Sequence, residues 1–298
     1  MHTTLISAQD LMALTALQSR GVPLMIFDCS FDLMNPTQGH QQYLQSHLPG
    51  AIYANLDSAL SDMGAPGPDG KRRPGPQAAS GGRHPLPGRE TFANWLSSVG
   101  FTNDMQAVVY DRNASTYCGR LWWMLKWAGH DAVAVLDGGM QAWQAAGGVV
   151  TDDVTSTRAA SSFKLLAPLR NLATTQDVLH GLNGSAQTLV DARATPRFKG
   201  EVEPLDPIAG HIPGALNRPS GQNFLADGRF KSAAQLHTEF TQLLGQRAPA
   251  SVVHHCGSGV SAVPNLIAME LAGLGPTSLY AGSWSEWCAD PTRPMEKG

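Results

Sequence analysis

Short, continuous apolar runs punctuate the chain: Leu24-Met25-Ile26-Phe27-Asp28, Ala107-Val108-Val109-Tyr110-Asp111, Thr188-Leu189-Val190-Asp191 and Ser251-Val252-Val253-His254-His255. Runs of four or five apolar residues without polar alternation predict strands buried on both faces. Longer apolar stretches, Arg120 to Ala128 and Ala262 to Ala272, read as helices able to cover a sheet. Each is followed by a glycine, Gly129 or Gly273, where a helix would stop. Strands alternating with helices predict an α/β fold built on mostly parallel sheets with helices on both faces.

The pattern occurs twice. Each half has a strand ending in an acid (Asp28, Asp191), then a His-(Leu/Ile)-Pro-Gly-Ala segment (His47 to Ala51, His211 to Ala215). A second strand follows, and then Leu136-Asp137-Gly138-Gly139 with Trp143 or Tyr280-Ala281-Gly282-Ser283 with Trp287. Asp111 to Trp143 and His255 to Trp287 are equal distances in sequence, which sets Asp111 against His255 in the repeat. A period of half the chain means two copies of a domain rather than a solenoid, and 298 residues suit two domains. The expected limits are 1–150 and 169–298, with 151–168 as an ordered linker of non-periodic sequence. The Gly- and Pro-rich stretch from Gly64 to Gly88 reads as a long surface loop of the first domain.

Composition adds mainly exclusions. With 42% hydrophobic and 15% charged residues the chain is globular, and a net charge of -3 offers no general attraction to nucleic acid or an anionic membrane. The basic run Lys71-Arg72-Arg73 reads as a solvated loop. Neither a signal peptide nor a membrane span is visible, so a cytoplasmic location is the default. Cys29, Cys118, Cys256 and Cys288 are widely spaced and form no metal motif, so no metal or cofactor is expected.

Cys256 differs from the other three in its context. It ends a predicted strand and opens Cys256-Gly257-Ser258-Gly259-Val260-Ser261, with a helix after it. Open α/β sheets bind ligands at the carboxyl ends of their strands. A Gly-rich turn into a helix N-terminus makes a nest for an anion, which favours a thiolate and predicts a cysteine pKa below the ~8.5 of a free thiol. The plain alternative is a small buried residue filling the strand end, and that reading stands for Cys29, Cys118 and Cys288. A Cys-dependent phosphatase would carry Arg six residues after the cysteine, where this chain has Ala262. A non-catalytic sulfur-carrier or binding module is the third alternative.

The duplicated α/β pattern with such a loop in the second copy resembles the two-domain rhodanese family of sulfurtransferases. The resemblance runs through almost the whole chain, including Asp191-Ala192-Arg193, Arg197-Phe198, the paired His-(Leu/Ile)-Pro-Gly-Ala segments and Gly282-Ser283-Trp284-Ser285-Glu286-Trp287. The loop is close to the Cys-Gly-Ser-Gly-Val-Thr loop of 3-mercaptopyruvate sulfurtransferases, with Ser261 for the usual Thr. Thiosulfate-type members carry Cys-Arg-Lys-Gly-Val-Thr instead.

The resemblance implies a persulfide on Cys256, filled by 3-mercaptopyruvate or thiosulfate and emptied by a thiol, such as that of thioredoxin, or by cyanide. It implies substrate contacts from Arg197, Gly257, Gly259, Val260 and Ser261, and a proton-handling set of Ser258, His84 and Asp57 that would lie between the domains. The first domain is implied to be catalytically inactive. Arg193 reads equally as a substrate contact or as a structural residue pairing near Asp191. Two departures matter. Leu205 stands where a second substrate arginine is usual, which leaves Arg197 alone or with Arg112 or Arg83. His254-His255 before the cysteine would support a thiolate if a ring were protonated and turned inward; on a strand at most one faces the site.

Overall fold

The structure, a computed structural model, describes every residue except Ser19, Arg20, Asp69, Lys71, 155–157, Asn183 and Ser185. Lys71 of the basic run and residues 155–157 of the expected linker thus lie outside the described residues. The chain divides into two compact units, each with its own sheet.

The first unit comprises residues 1–60, 88–169 and 224–230. Its strands are β1 (Leu5–Ile6), β2 (Leu24–Asp28), β3 (Ile52–Tyr53), β4 (Gln106–Tyr110) and β5 (Val133–Leu136), in the order β1-β5-β4-β2-β3 with all pairs parallel. Its helices are α1 (Ala8–Gln18), α2 (Gln38–Gln45), α3 (Arg89–Ser98), α4 (Cys118–Trp127) and α5 (Gly139–Ala145). Alternate residues of the central strands face opposite layers. Ile26, Val108 and Leu136 pack with Leu11 of α1 and Met140 and Trp143 of α5, while Phe27 meets Trp95 of α3 on the other side. This two-sided burial explains the absence of polar alternation in β2 and β4, where every residue is buried. The tail of the unit is held down: Thr151 and His47 exchange main-chain hydrogen bonds, and Leu166 N–H donates to Ala128 C=O. A short segment from the second half joins the unit, where Phe230 N–H donates to the Asp137 carboxylate at 2.9 Å.

The second unit comprises residues 61–87, 170–223 and 231–298. It contains β6 (Thr188–Asp191), β7 (Leu216–Asn217), β8 (Val252–His255) and β9 (Ser278–Leu279), in the order β7-β6-β8-β9, again all parallel. Its helices are α6 (Thr175–Gly181), α7 (Thr195–Phe198), α8 (Ala233–Leu244), α9 (Val263–Leu271) and α10 (Ser283–Trp287). Leu189 and Val253 pack with Val178 of α6 and with Trp284 and Trp287 of α10. On the opposite face His254 meets Phe240 of α8 and Met269 of α9. The predicted α/β class and parallel sheets are thus present in both units.

Two sequence expectations change. The Gly- and Pro-rich stretch, read as a surface loop of the first domain, is built into the second unit from Ser61 to Pro87. The repeat register also shifts by one residue. Asp28 is opposite Tyr110 in the first sheet, and Asp191 is opposite His255 in the second. The next N–H groups, of Cys29 and Ala192, donate to Tyr110 and His255. Tyr110 therefore matches His255, and Asp111 matches Cys256. Equal spacing to the tryptophans had hidden this shift, because the second loop is one residue shorter between those landmarks.

Candidate active site

Cys256 follows β8 directly and is 1% exposed. The start of α10 grips its main chain. Cys256 N–H donates to Ser283 Oγ at 3.0 Å, and its C=O accepts from Trp284 N–H at 3.0 Å. Gly257 C=O accepts from Ser285 N–H at 2.9 Å. The loop then turns through Gly259, whose φ is +71°; a Cβ there would lie 2.2 Å from the carbonyl oxygen of Ala281, so only glycine fits. Ser258 and Val260 are buried, Ser261 is half-buried, and α9 begins at Val263 with Pro264 in its first turn.

The segment from Gly81 to His84 is fastened beside this loop. Gly81 N–H donates to Glu286 Oε2 at 2.9 Å and Arg83 N–H to Ser285 Oγ at 3.0 Å. Gly82 is seated so tightly that a Cβ would lie 2.6 Å from Gly282 O. The buried ring of His84 meets the hydroxyl of Ser258, Nδ1 to Oγ, at 2.8 Å. The structure therefore joins two of the three residues of the expected proton-handling set, from opposite halves of the sequence but within one unit. Asp57 belongs to the first unit, after β3, where its N–H donates to Asn55 Oδ1.

Cations reach the same loop. A Cβ on Gly257 would lie 3.1 Å from Nη2 of Arg83 and 3.5 Å from Nη1 of Arg197, so two guanidinium groups face the residue after the cysteine. Of the cations considered beside Leu205, Arg83 is thus placed at the loop. Arg112 is committed within the first unit, donating to Asp28 at 2.9 Å, to Ser30 Oγ at 2.6 Å and to the carbonyl of Ser46. Arg193 is structural in its contacts, donating to Asp191 Oδ2 at 2.7 Å and to Gly210 C=O at 2.7 Å. Arg197 donates to Glu203 Oε1 at 2.6 Å and to Asp206 Oδ2 at 3.2 Å, and Arg83 to Asp206 Oδ1 at 2.5 Å. Burial pushes the Asp206 carboxyl up, against the pull of Arg83 and Arg197. Glu203 is also raised by burial, but its Arg197 hydrogen bond and the N–H groups of Leu205 and Asp206 bring it below the usual range. Asp206 and Glu203 carried no mark in the sequence beyond their nearness to Leu205.

The two histidines before Cys256 do not act as a charged support. Burial, then His255 and Arg218, push His254 down to about 3, and its Nε2 lies 3.2 Å from Met269 Sδ on the helix face. His255 faces the site side, 3.9 Å from Asp191, and burial lowers its pKa as well. Both rings are neutral near pH 7, because the apolar surroundings do not solvate a second proton. The other thiols sit in environments that oppose ionisation. Burial raises Cys29 and Cys118 well above the ordinary thiol value, with Asp28 and Asp111 adding to it, and raises Cys288 to about 11.

Comparison with known proteins agrees with this architecture. The chain matches the Rhodanese-like domain twice, over residues 12–146 and 174–290. It is 42% identical over 276 residues to a "Probable 3-mercaptopyruvate sulfurtransferase" of Pseudomonas aeruginosa, covering 92% of this chain and 93% of the relative. It is 38% identical to a "Putative thiosulfate sulfurtransferase" of Mycobacterium tuberculosis, covering 93% and 92%. Among solved structures, the 3-mercaptopyruvate sulfurtransferase from Leishmania major superposes with a TM-score of 0.78 at 28% identity, covering 96% of this chain and 74% of that one. Among the described residues no helix is long and apolar enough to cross a membrane, and no group of three His, Cys, Asp or Glu is placed to hold a metal ion.

Proposed function

The chain belongs to the rhodanese-like domain family, and we propose that it is a sulfurtransferase that carries a sulfane sulfur on Cys256, with 3-mercaptopyruvate as its preferred donor. The observation that carries this reading is the convergence of Arg83, Arg197 and the His84–Ser258 pair on the Cys256 loop. The named relatives divide between mercaptopyruvate and thiosulfate activities, so the donor is argued from the site. No cation is supplied by the loop itself, whose side chains after Cys256 are hydroxyl or apolar. Arg83 and Arg197 stand to the side, at Gly257, where they suit a carboxylate some distance from the transferred sulfur.

In the proposed cycle the Cys256 thiolate attacks the donor's sulfur. An S–S bond forms, the C–S bond breaks, and its electron pair leaves as the enolate of pyruvate. The proton that the enolate carbon needs passes through Ser258 and His84, whose 2.8 Å contact links a hydroxyl to an imidazole able to exchange it. Main-chain N–H groups of the loop, with Gly257, Gly259, Val260 and Ser261 as its frame, stabilise the charged persulfide. A thiol, such as that of thioredoxin, or cyanide then attacks the outer sulfur and regenerates the Cys256 thiolate, completing a ping-pong cycle. No cofactor is invoked. Asp57 is proposed as the third member of the proton-handling set, and the first unit as inactive in lacking a nucleophile of its own.

Mass spectrometry after donor treatment tests the reading. One added sulfur is expected on Cys256 and on no other cysteine, with a higher kcat/KM for mercaptopyruvate than for thiosulfate. Transfer to cyanide that survives Cys256→Ser would refute a catalytic Cys256, and a tenfold preference for thiosulfate would reverse the donor assignment.

A further inference from the structure

Six charged side chains beside the Cys256 loop form one continuous series of ion pairs. Asp191 meets Arg193 at 2.7 Å, Arg193 meets Glu203 at 3.3 Å, and Glu203 meets Arg197 at 2.6 Å. Arg197 then meets Asp206 at 3.2 Å, and Asp206 meets Arg83 at 2.5 Å. Signs alternate along the series, and three guanidinium groups balance three carboxylates. The side chains of Glu203 and Asp206 are each 3% exposed, whereas Arg197 keeps 18% and Arg83 24% of theirs open. The open end of a neutral network therefore lies at Gly257, next to the nucleophile.

Local folding holds this end in place. Glu203 Oε1 accepts from the N–H groups of Leu205 at 3.1 Å and Asp206 at 3.2 Å, so one carboxylate both anchors Arg197 and shapes the turn that presents Asp206. Asp206 then spans the two arginines, with Oδ1 on Arg83 and Oδ2 on Arg197. The Nε of Arg83 is buried and has no hydrogen-bond partner among the described residues, so this guanidinium retains a donor beyond its ion pair.

We infer, resting on the sulfurtransferase reading, that Asp206 sets the charge of the donor this site accepts, holding Arg83 and Arg197 at Gly257 while cancelling one of their two charges. A donor with a single carboxylate brings the network to -1. Thiosulfate, a dianion whose charge lies close to the transferred sulfur, brings it to -2. In a partly buried cluster the second uncompensated charge is screened poorly, so the penalty falls on the dianion. Asp206 touches no reacting atom; it is a positioning residue, and its signature is the ratio between donors rather than the rate with either.

The test compares thiosulfate and mercaptopyruvate with Asp206→Asn, which keeps the shape and removes the charge. The ratio of kcat/KM for thiosulfate to that for mercaptopyruvate should rise about tenfold or more, mostly through the KM of thiosulfate. Asp206→Glu, which keeps the charge, should hold the wild-type ratio. An equal loss with both donors in Asp206→Asn would mean a structural role only and overturns the inference. The wild-type protein supplies a measurement that needs no variant: sulfate and acetate as competitive inhibitors against mercaptopyruvate. Acetate should compete at least as well as sulfate despite its smaller charge, and sulfate binding tenfold more tightly overturns the inference. A wild-type protein that forms no persulfide on Cys256 with either donor removes the sulfurtransferase reading itself. Persulfide formation with an unchanged ratio in Asp206→Asn removes only the role of Asp206.

Discussion

At the end of β4 the chain places a carboxylate, and at the end of β8 a thiol, in the same main-chain setting. Asp111 C=O accepts from Met140 N–H as Cys256 C=O accepts from Trp284 N–H. The first loop closes on itself: the Asp111 carboxylate accepts from the N–H groups of Asn113, Ser115, Tyr117 and Cys118, all at 2.9 to 3.0 Å. Those bonds hold Ala114 and Ser115 in the left-handed region, at φ 50° and 59°, a conformation costly for residues with a Cβ. A thiol is too weak an acceptor to organise four donors. The second loop therefore takes its shape from Gly259 and from the grip of Ser283 and Ser285. Arginine use differs in parallel. In the first unit the residue after Asp111 is Arg112, spent on the strand-end Asp28; in the second, Arg193 neutralises Asp191 and the residue after Cys256 is a glycine that leaves room for two guanidinium groups. The first loop is closed by its own carboxylate, whereas the second carries a thiol with two guanidinium groups at the next residue.

The sharpest way to break this comparison is to give the second loop the residue of the first. Cys256→Asp is expected to abolish sulfur transfer to cyanide by at least about 1,000-fold while the protein stays folded, since a carboxylate has a ready set of N–H donors there. Retained turnover would contradict the assignment of the nucleophile. The converse change, Asp111→Ala, strands buried N–H groups and should cost about 3 kcal/mol in urea unfolding of the first unit. Sulfur transfer per folded molecule should persist, and an unchanged unfolding midpoint would show that the carboxylate does not hold the loop.

Arg197→Ala should lower kcat/KM for mercaptopyruvate about 100-fold, partly because the buried Glu203 and Asp206 carboxylates lose a cationic partner. Equal kinetics in variant and wild type would move the donor's carboxylate elsewhere. The smallest effect concerns His254, which has no counterpart titrating in the first sheet, where Val109 holds the matching place. Its folded pKa of about 3 lies below the 6.5 of the unfolded ring, so the unfolded state binds more protons between those values. The stability is fully present above pH 6.5 and is lost as pH falls through this window, by up to roughly 1.4 kcal/mol per pH unit. His254→Gln should flatten that slope in chemical denaturation at stepped pH; an identical slope would mean that His254 is not the group responsible.

Much of the fold was legible because burial on both faces of a parallel sheet writes itself as apolar runs, and duplication writes the runs twice. β2, β6 and the helices α4 and α9 fall within a residue or two of their expected limits. The proposed nucleophile, Cys256, was legible for a similar reason: its setting is local, a strand end followed by a glycine-rich turn. Arg197 stood out by its resemblance to family members. Arg83 is one of several cations in the sequence, and Asp206 carries no signal, since nothing in Glu203-Pro204-Leu205-Asp206 states which arginines its carboxylate will meet. The register of the repeat in the sequence differs by one residue from that in the sheets, because matching tryptophans measure chain length, whereas strand pairing measures position.

By itself, then, the sequence determined the α/β class, the duplication and the cysteine that differs from its three companions, all properties carried by residues adjacent or periodic along the chain. Only the tertiary structure decided that Ser61–Pro87 belongs to the second unit, that His84 reaches Ser258 across 174 positions, and that the guanidinium of Arg83 lies beside that of Arg197 at Gly257. Those contacts depend on where a Gly- and Pro-rich segment without periodicity is pinned. The pins are the half-buried Glu286 carboxylate on Gly81 N–H and a serine hydroxyl on Arg83 N–H, two hydrogen bonds whose partners lie more than 200 residues apart in the chain.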